Sequence, residues 1–419
     1  MSTNMAFSRK VLQISSGLIV LILVSLFLDV DSSPIKDKPN NPPVILIPGD
    51  GGSQLEGKLD KPSHVHFYCE RKSTWFPLWL NLELIAPLTI DCLVDNLRLD
   101  YNPFTRTTHN PPGVEIRIQD FGNTSTVEYL DASELSATSY YAPIVADLVK
   151  HGYKRGITVR GAPFDFRKAA NELQEYFKAV KALIEETYTL NGDTKVVVIA
   201  HSMGNIVFLY FLNHIDQLWK DKYISSYVSL AGPWAGAAKT VRIMASGDNL
   251  GVFVVETLKA RVQQRTMPST AWMMPSERFW KKDEVIVYTP YRNYTVYDYK
   301  QFFADIKFPV GYLMRQDTEK LIDDLRPPGV EHHCLHGSKV HTPGAFRYTK
   351  GMFPDTQPYT INEDGDGTVN MRSLLACLLW KGKQKQPTYH KVIEGTEHLA
   401  ILDNLEVLDY LHKVLGIKS

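Results

Sequence analysis

Residues 195–204 have the sequence KVVVIAHSMG, in which an apolar run, Lys195–Ala200, is followed at once by His-Ser-Met-Gly. A short run rich in β-branched residues is typical of a strand buried on both faces of a sheet. A helix is predicted to follow, from Met203 to His214. Ser202 therefore lies at a sharp strand-to-helix turn, where small neighbours avoid steric clashes.

The alternation of strand and helix extends in both directions from this turn. Val44–Ile47 is an apolar run stopped by the glycine-rich loop Pro48-Gly-Asp-Gly-Gly52. Gly156–Arg160 precedes a helical stretch from Ala169 to Tyr188, and Tyr227–Ala231 is a further predicted strand. Strands that alternate with helices predict an α/β fold, with a mostly parallel sheet and helices on both faces.

Composition narrows the class of protein. The 419-residue chain has 46 Lys and Arg residues against 46 Asp and Glu residues, so its formal net charge is zero. Nucleic-acid binding proteins usually carry a basic excess, and we expect no nucleic-acid partner. With 44% hydrophobic and 22% charged residues, the chain is typical of a globular protein. Its length allows two or three domains, or one large α/β domain with insertions.

Ser202 has the sequence surroundings of a nucleophile. It occupies the centre of the G-x-S-x-G pattern, with Ala200 in place of the first glycine. The N-terminus of the following helix favours developing negative charge, so the N–H of Met203 is one predicted oxyanion-hole donor. The loop after the first strand supplies the second donor in such folds, and the N–H of Asp50 is the candidate. An ordinary serine cap of the helix is the alternative interpretation.

The acid and the base should follow Ser202 in the order acid, then histidine. Asp366 lies between two glycines before an apolar segment and is the favoured acid, with Asp364 as its competitor. His398 lies in a predicted loop between a short strand and the final helix and is the favoured base. His390 is the rival, but it lies within that strand. Three other histidines precede the acid and break the order: His332, His333 and His341.

The N-terminal residues predict export from the cytosol. Two basic residues precede the apolar run Leu18–Leu28, which is too short to cross a bilayer comfortably. We interpret residues 1–32 as a cleaved signal peptide and residues 33–43 as a polar, proline-rich linker. A signal anchor over Val11–Val30 is the alternative.

Four cysteines agree with an oxidising compartment. Three connectivities are possible, and we favour the sequence-local pairs Cys69–Cys92 and Cys334–Cys377 because each pair brackets one loop. Neither spacing matches a zinc template, so no metal site is predicted. Four unrelated buried thiols are the alternative. Two glycosylation sequons, at Asn123 and Asn293, agree with secretion.

Thirteen histidines add a pH-dependent charge. With ordinary pKa values of about 6.5, most would be protonated near pH 5. The chain would then be cationic in an acidic compartment, which favours anionic membrane surfaces. Neutral surface histidines without such a role are the alternative.

Two stretches interrupt the alternation of strand and helix. Residues 69–92 contain Thr74–Ile85, which is rich in tryptophan, phenylalanine and leucine. Residues from about 232 to 330 carry tryptophan, methionine and tyrosine without clear alternation. We interpret both stretches as insertions on the sheet.

Taken together, the ordered motifs resemble those of the lecithin–cholesterol acyltransferase family. The resemblance extends from about Val44 to the C-terminus. It rests chiefly on Pro48-Gly-Asp, Leu78-Trp-Leu-Asn-Leu-Glu-Leu, Arg160-Gly-Ala-Pro-Phe-Asp, Ala200-His-Ser-Met-Gly-Asn, Leu313-Met-Arg-Gln-Asp-Thr, Pro328-Gly-Val and Gly365-Asp-Gly-Thr-Val-Asn.

The resemblance has consequences for the fold. It implies an α/β-hydrolase core over residues 44–419, with a lid in the segment after Gly232 and a membrane-binding part in residues 69–92. It implies no metal and no organic cofactor.

The resemblance also assigns roles by motif. It implies that Ser202 is the nucleophile, Asp366 the acid and His398 the base, with the N–H groups of Asp50 and Met203 in the oxyanion hole. These assignments agree with the candidates selected from the residues.

The activity implied is phospholipase A together with O-acyl transfer. Ser202 would take a fatty acyl group from a glycerophospholipid, and water or a lipophilic alcohol would accept it. One branch of the family acylates the 1-hydroxyl of ceramide and another acylates sterol, so the acceptor stays open. The alternatives are a secreted phosphatidylcholine–sterol O-acyltransferase, a neutral-lipid lipase and a non-catalytic lipid-binding protein on a hydrolase fold. The expected location is the lysosome or the extracellular space.

A membrane substrate requires an apolar docking surface, and a phospholipid membrane is the expected partner. The candidate contact residues share one aromatic and leucine-rich stretch: Trp75, Phe76, Leu78, Trp79 and Leu80. The alternative is that these side chains form the core of the insertion.

Overall fold

The computed structural model describes residues 41–249 and 255–418. The predicted signal peptide, residues 1–32, lies outside the described residues, as does most of the predicted linker at 33–43. No helix in the two described ranges is long and apolar enough to cross a bilayer.

The regular elements of the described residues alternate along the chain. The strands are β1 Val44–Ile47, β2 Leu55–Leu59, β3 Phe76–Trp79, β4 Asp100–Asn102, β5 Thr107–His109, β6 Val114–Arg117, β7 Val159–Gly161, β8 Val196–His201, β9 Ile224–Leu230, β10 Val287–Tyr288, β11 Asn293–Tyr294, β12 Glu331–Ser338, β13 Thr342–Arg347, β14 Tyr359–Glu363 and β15 Thr388–Glu394. The α-helices are α1 Ile90–Leu97, α2 Ser125–Glu128, α3 Ala142–Lys150, α4 Gln174–Leu190, α5 Met203–Asn213, α6 Gln217–Tyr223, α7 Lys239–Ser246, α8 Thr257–Gln264, α9 Pro268–Trp272, α10 Tyr299–Asp305, α11 Pro309–Thr318, α12 Met371–Leu374 and α13 Leu405–Leu415. Short 3₁₀ helices occupy Ser136–Thr138, Ala170–Glu172, Val296–Asp298, Leu375–Trp380 and Ala400–Leu402.

A six-stranded parallel sheet lies at the centre of the fold, in the order β15-β12-β9-β8-β1-β7. β1 and β8 are neighbours, with Ile45 opposite Val198 and Ile47 opposite Ala200. Every residue of both strands is buried, which explains their continuous apolar runs. The predicted α/β class is confirmed. Because parallel strands end at the same edge, the loop after β1 and the turn after β8 meet there.

Helices cover both faces of this sheet. Val198 belongs to the core cluster that contains apolar side chains of α4 and α5. Its neighbour Ile199 belongs to the cluster that contains those of α3 and α13. Successive strand residues point to opposite faces, so β8 joins the two halves of the core.

A first insertion, residues 55–117, separates β1 from β7. It contains a small sheet in the order β3-β2-β6, the hairpin β4-β5 and helix α1. The disulfide Cys69–Cys92 joins the segment after β2 to α1. The predicted stretch 69–92 is therefore the middle of a larger unit.

The second insertion differs from its predicted boundaries of about 232–330. A four-stranded sheet, β11-β10-β13-β14, combines residues of that stretch with Thr342–Arg347 and Tyr359–Glu363. Phe346 accordingly shares a core cluster with Phe302 and Phe303. The chain leaves this unit, which we name the cap, to form β12 of the central sheet and then returns. Because β12 of the central sheet interrupts the cap, the boundaries of the cap cannot be read from a break in the alternation of strands and helices alone.

Two further features concern the predicted covalent modifications. The disulfide Cys334–Cys377 is present and joins β12 to the 3₁₀ helix Leu375–Trp380. Asn123 and Asn293 are both exposed, and their glycosylation stays a prediction.

Candidate active site

Ser202 lies at the junction of β8 and α5. Its backbone adopts φ 52° and ψ −130°, a conformation that costs a residue other than glycine about 1–3 kcal/mol. Hydrogen bonds hold the turn: the N–H of Ser202 donates to the carbonyl of Leu230 at 2.9 Å, and Asn205 Nδ2 donates to the carbonyl of Ser202 at 3.0 Å. This strain is typical of a nucleophile presented above a parallel sheet.

A hydrogen-bond chain connects Ser202, His398 and Asp366. His398 Nε2 lies 2.8 Å from Ser202 Oγ, and His398 Nδ1 lies 2.8 Å from Asp366 Oδ2. A carboxylate only accepts, so Nδ1 donates to Asp366 and Nε2 is free to accept the serine proton. This arrangement fits a nucleophile, a general base and an orienting acid.

The environment of Asp366 keeps its carboxylate ionised. Burial alone would raise the pKa of Asp366, but the neighbouring His398 lowers it, as do two backbone N–H groups. Those N–H groups belong to Val369 and Thr368 and donate to Oδ1 at 2.7 and 3.0 Å. The net pKa lies below the ordinary value, so the carboxylate holds the imidazole in its working tautomer.

The rival candidates have partners elsewhere. Asp364 is exposed and accepts the N–H of Lys339 at 2.6 Å, as a turn residue. His390 lies on β15 with its Nε2 2.8 Å from Nε2 of His336. Neither is a member of the chain that includes Ser202.

The glycine-rich loop after β1 lies directly against the nucleophile. A Cβ at Gly49 would lie 2.6 Å from the Cβ of Ser202, and a Cβ at Gly204 would lie 2.3 Å from the carbonyl oxygen of Pro48. Glycine alone permits this approach. Met203 begins α5, so its N–H has no partner within the helix, and Asp50 lies in the adjoining loop. Their role as oxyanion-hole donors stays a prediction.

Comparison with known proteins identifies the family of the chain. The family model of lecithin:cholesterol acyltransferase matches residues 75–404. The chain belongs to this family. The matched range contains Ser202, Asp366 and His398.

Several curated relatives are similar over nearly their whole length. Mouse lysosomal phospholipase A and acyltransferase is 48% identical over 404 residues, which cover 96% of this chain and 97% of the relative. Human phosphatidylcholine-sterol acyltransferase is 41% identical over 375 residues, which cover 89% of this chain and 84% of the relative. Among solved structures, the Tle4-Tli4 complex aligns with a TM-score of 0.50 at 13% identity, over 90% of this chain and 99% of that one. This last likeness concerns the fold alone.

In this member of the family, Trp79 and Leu78 face inward, and we name them the inner set. Trp79 Nε1 donates to the carbonyl of Gly51 at 2.8 Å, and its ring packs on Phe166. Leu78 has no exposed surface. The prediction that Leu78 contacts a membrane is therefore wrong, because β3 directs it into the core. Trp79 contacts the glycine-rich loop beside Ser202.

The other predicted membrane contacts are half-buried. The guanidinium of Arg117 lies 4.2 Å from the ring centre of Trp75. Phe76 packs against the main core cluster, and the N–H of Leu80 donates to the carbonyl of Leu130 at 2.8 Å. The Trp75 and Phe76 side chains thus have contacts within the protein, and the role of Trp75, Phe76 and Leu80 in membrane contact stays a prediction.

Two apolar side chains of the first insertion that are exposed to solvent are not among the predicted membrane contacts. Phe67 is 89% exposed and Leu88 is 78% exposed, and we name them the outer set. The disulfide Cys69–Cys92 joins their two segments, and His66 Nε2 lies 3.4 Å from Asp91 Oδ2. Sequence reasoning missed them because they flank the aromatic stretch rather than belong to it.

A second buried hydrogen-bond chain links the two loops of the site. The N–H of Gly49 donates to the Tyr140 hydroxyl at 2.9 Å, and that hydroxyl contacts His201 Nδ1. His201 Nε2 lies 2.9 Å from the carbonyl of His398. A carbonyl only accepts, so Nε2 carries the proton, and Nδ1 accepts from Tyr140. Burial, followed by the neighbouring His398, lowers the pKa of His201 to about 3, which keeps this imidazole neutral.

His332 is also held neutral. Burial lowers the pKa of His332 to about 3, and it lowers the pKa values of His333, His336 and His390 as well. The expectation that most histidines become charged near pH 5 is wrong for His201 and His332, which therefore do not add to the attraction between the protein and an anionic membrane.

The side chain of Asp50 lies beside the predicted oxyanion hole. Asp50 as a whole residue is exposed, yet desolvation of its carboxyl group by the surrounding protein raises its pKa to about 6, against the opposing attraction of Lys239 and the N–H of Gly51. Its charge therefore changes in the mildly acidic range, a feature that the sequence did not indicate.

Proposed function

We propose that this chain is a phospholipase A and O-acyltransferase that acts through an acyl-Ser202 intermediate. The observation that carries the proposal is the Ser202–His398–Asp366 hydrogen-bond chain beside a glycine-rich loop, in a member of the lecithin:cholesterol acyltransferase family. The similarity at 48% identity to proteins named lysosomal phospholipase A and acyltransferase supports the substrate class.

The first half-reaction transfers the acyl group to the enzyme. His398 Nε2 takes the proton of Ser202 Oγ, and Oγ attacks the ester carbonyl of a glycerophospholipid. The N–H groups of Asp50 and Met203 stabilise the oxyanion. His398 then gives its proton to the departing oxygen, and a lysophospholipid leaves.

The second half-reaction releases the acyl group. Water or a lipophilic alcohol gives a proton to His398 and attacks the acyl-enzyme, and His398 returns the proton to Ser202. We propose the 1-hydroxyl of ceramide as the alcohol. No step requires a metal or an organic cofactor.

Membrane contact is assigned to the first insertion. We propose that Phe67 and Leu88 enter the bilayer, because burying a large apolar side chain contributes about 1.5–3 kcal/mol and both are exposed in solution. We propose that the cap acts as the lid over the acyl chains. The lysosome, reached through the secretory pathway, is the proposed location.

A sterol acceptor is the second candidate. The observation in its favour is the 41% identity to human phosphatidylcholine-sterol acyltransferase over 375 residues. The lower identity ranks it behind the ceramide acceptor.

The test uses phosphatidylcholine liposomes that contain both N-acetylsphingosine and cholesterol. Products are followed at an acidic and at a neutral pH, with the Ser202→Ala variant in parallel. We expect fatty acid and acylated ceramide at acidic pH, both absent with the variant.

Two outcomes would change the proposal. Cholesteryl ester at neutral pH would replace ceramide by sterol while leaving the mechanism intact. Product formation that does not depend on Ser202 would contradict the mechanism itself.

A further inference from the structure

The ends of helices α3 and α13 bring three metal-ligating side chains together. Asp147 lies in the last turn of α3, and His151 is the C-terminal cap residue of that helix. His412 lies in the last turn of α13. One ligand atom of each residue lies within 4.8 Å of the corresponding atoms of the other two. We propose that these residues bind a divalent transition metal ion, Zn²⁺ in the first instance.

Core packing of the two helices fixes the backbone positions of the three ligands. Leu148, beside Asp147, and Leu411, beside His412, are both buried in the core cluster on the second face of the sheet. Asp147 and His151 are four residues apart, a spacing that places them on one face of a helix. The three ligands thus converge from two fixed backbones.

The existing contacts already resemble a metal site. His412 Nε2 lies 2.6 Å from Asp147 Oδ2, and the His151 and His412 ring centres are 4.4 Å apart. His151 Nδ1 lies 2.8 Å from the carbonyl of Asp147 and must donate to it. In the neutral imidazole this leaves Nε2 unprotonated, the arrangement that orients histidine ligands in metalloproteins.

Electrostatics favours a cation at this point. Carboxylates are disfavoured near helix C-termini, where the helix dipole is negative, yet Asp147 lies there. Within the described ranges, the ion-pair distances to Asp147 involve only the two imidazoles, with no lysine or arginine in contact. A divalent ion would neutralise both the carboxylate and the helix ends.

The donor set selects the kind of ion. Two imidazoles and one carboxylate suit Zn²⁺ and its first-row neighbours rather than Ca²⁺ or Mg²⁺, which prefer oxygen. Zn–N bonds of about 2.0–2.1 Å place ligand atoms roughly 3.4 Å apart. Small side-chain rotations would therefore widen the 2.6 Å contact between His412 and Asp147 and bring His151 into place, since all three ligand atoms lie within 4.8 Å of one another. Asp147 and His412 are each 19% exposed, which leaves room for a water as the fourth ligand.

The test is metal binding by the full chain, freed of any affinity tag and stripped with a chelator. Co²⁺ is added first, because a tetrahedral cobalt site has a distinctive visible absorption, and Zn²⁺ is then used to displace it. We expect one ion per chain and a higher midpoint of thermal unfolding with Zn²⁺ bound. The variants His151→Gln, His412→Gln and Asp147→Asn should each lose more than about 100-fold in affinity, since even second-shell changes cost 10–100-fold.

His214→Gln is the matched control. His214 is likewise exposed at a helix C-terminus, with its Nδ1 2.7 Å from the carbonyl four residues earlier, that of Tyr210. Among the described residues it belongs to no group of three metal-ligating side chains, so its loss should leave affinity unchanged. Circular dichroism without metal verifies that each variant is folded.

Two results would overturn the proposal. One is equal cobalt affinity for the unmodified chain and for the folded His151→Gln and His412→Gln variants. The other is an equal loss of affinity on replacing His214.

Discussion

The inner and outer sets of the first insertion differ in what their side chains contact. Leu78 is buried and Trp79 donates a hydrogen bond to the loop beside Ser202, whereas Phe67 and Leu88 are exposed to solvent. Both sets lie within the same insertion, and a hydropathy pattern does not separate them. One insertion therefore supports the catalytic loop with its inner set and leaves its outer set free for the lipid contact that we propose.

The largest expected loss of activity comes from the catalytic acid, and it sets the reference for comparing the inner and outer sets. Asp366→Asn should reduce kcat by about 10⁴-fold, because an amide cannot hold His398 in the required tautomer. The loss should be equal for a soluble ester and for liposomes. Asp364→Asn is the control and should stay within about twofold, as expected for a surface residue.

The next effect separates the outer set from the chemistry. The double variant Phe67→Ser, Leu88→Ser should lose about 100-fold in activity on liposomes, because each side chain contributes about 1.5–3 kcal/mol when buried in lipid. Hydrolysis of a soluble ester should be unchanged. Vesicle sedimentation measures the binding directly.

Leu218→Ser is the control for the outer set. Leu218 is 84% exposed on α6, outside the insertion. Its replacement should leave liposome activity unchanged. If Leu218→Ser reduced liposome activity as much as the double variant does, general surface hydropathy would explain the effect, and the proposal that Phe67 and Leu88 contact the membrane would be wrong.

A smaller effect tests the inner set. Trp79→Phe keeps an aromatic ring but removes the hydrogen bond to Gly51, which is worth about 0.5–1.5 kcal/mol. We expect a loss of about tenfold in kcat/KM on both kinds of substrate. Trp75→Phe, which does not touch the loop, should retain activity. A defect limited to liposomes would assign Trp79 to the outer set instead.

The smallest effect concerns the pH dependence of the loop that Trp79 supports. The pKa of Asp50 is raised to about 6, so its carboxyl is neutral below that pH and anionic above it. An anion beside the predicted oxyanion hole opposes the developing negative charge. The activity ratio of Asp50→Asn to the unmodified enzyme should therefore be near one at pH 5 and rise several-fold by pH 7.5. A ratio constant over this range would contradict the proposed influence of the Asp50 charge.

Local patterns were sufficient to predict five of the six strands of the central sheet, all but β12, and the members of the Ser202 chain. Continuous apolar runs and a small-residue turn are short-range features, and the order of acid and histidine narrows the choice further. Trp79 could not be placed, because the side of β3 that faces the core depends on its pairing with β2. The Asp147 and His412 pair was equally invisible, since 265 residues separate two side chains that contact each other.

The neutral, buried imidazoles have a thermodynamic consequence. His201 and His332 take up protons near pH 6.5 when the chain is unfolded, but only near pH 3 when it is folded. The unfolded state therefore binds more protons between these values, and the free energy of unfolding falls as pH falls through that window, by up to about 1.4 kcal/mol per pH unit for each group. Urea unfolding should show this as a lower midpoint at pH 5 than at pH 7. In an acidic compartment, His201, which links the two loops of the site, and the buried His332 therefore both bring the protein closer to unfolding.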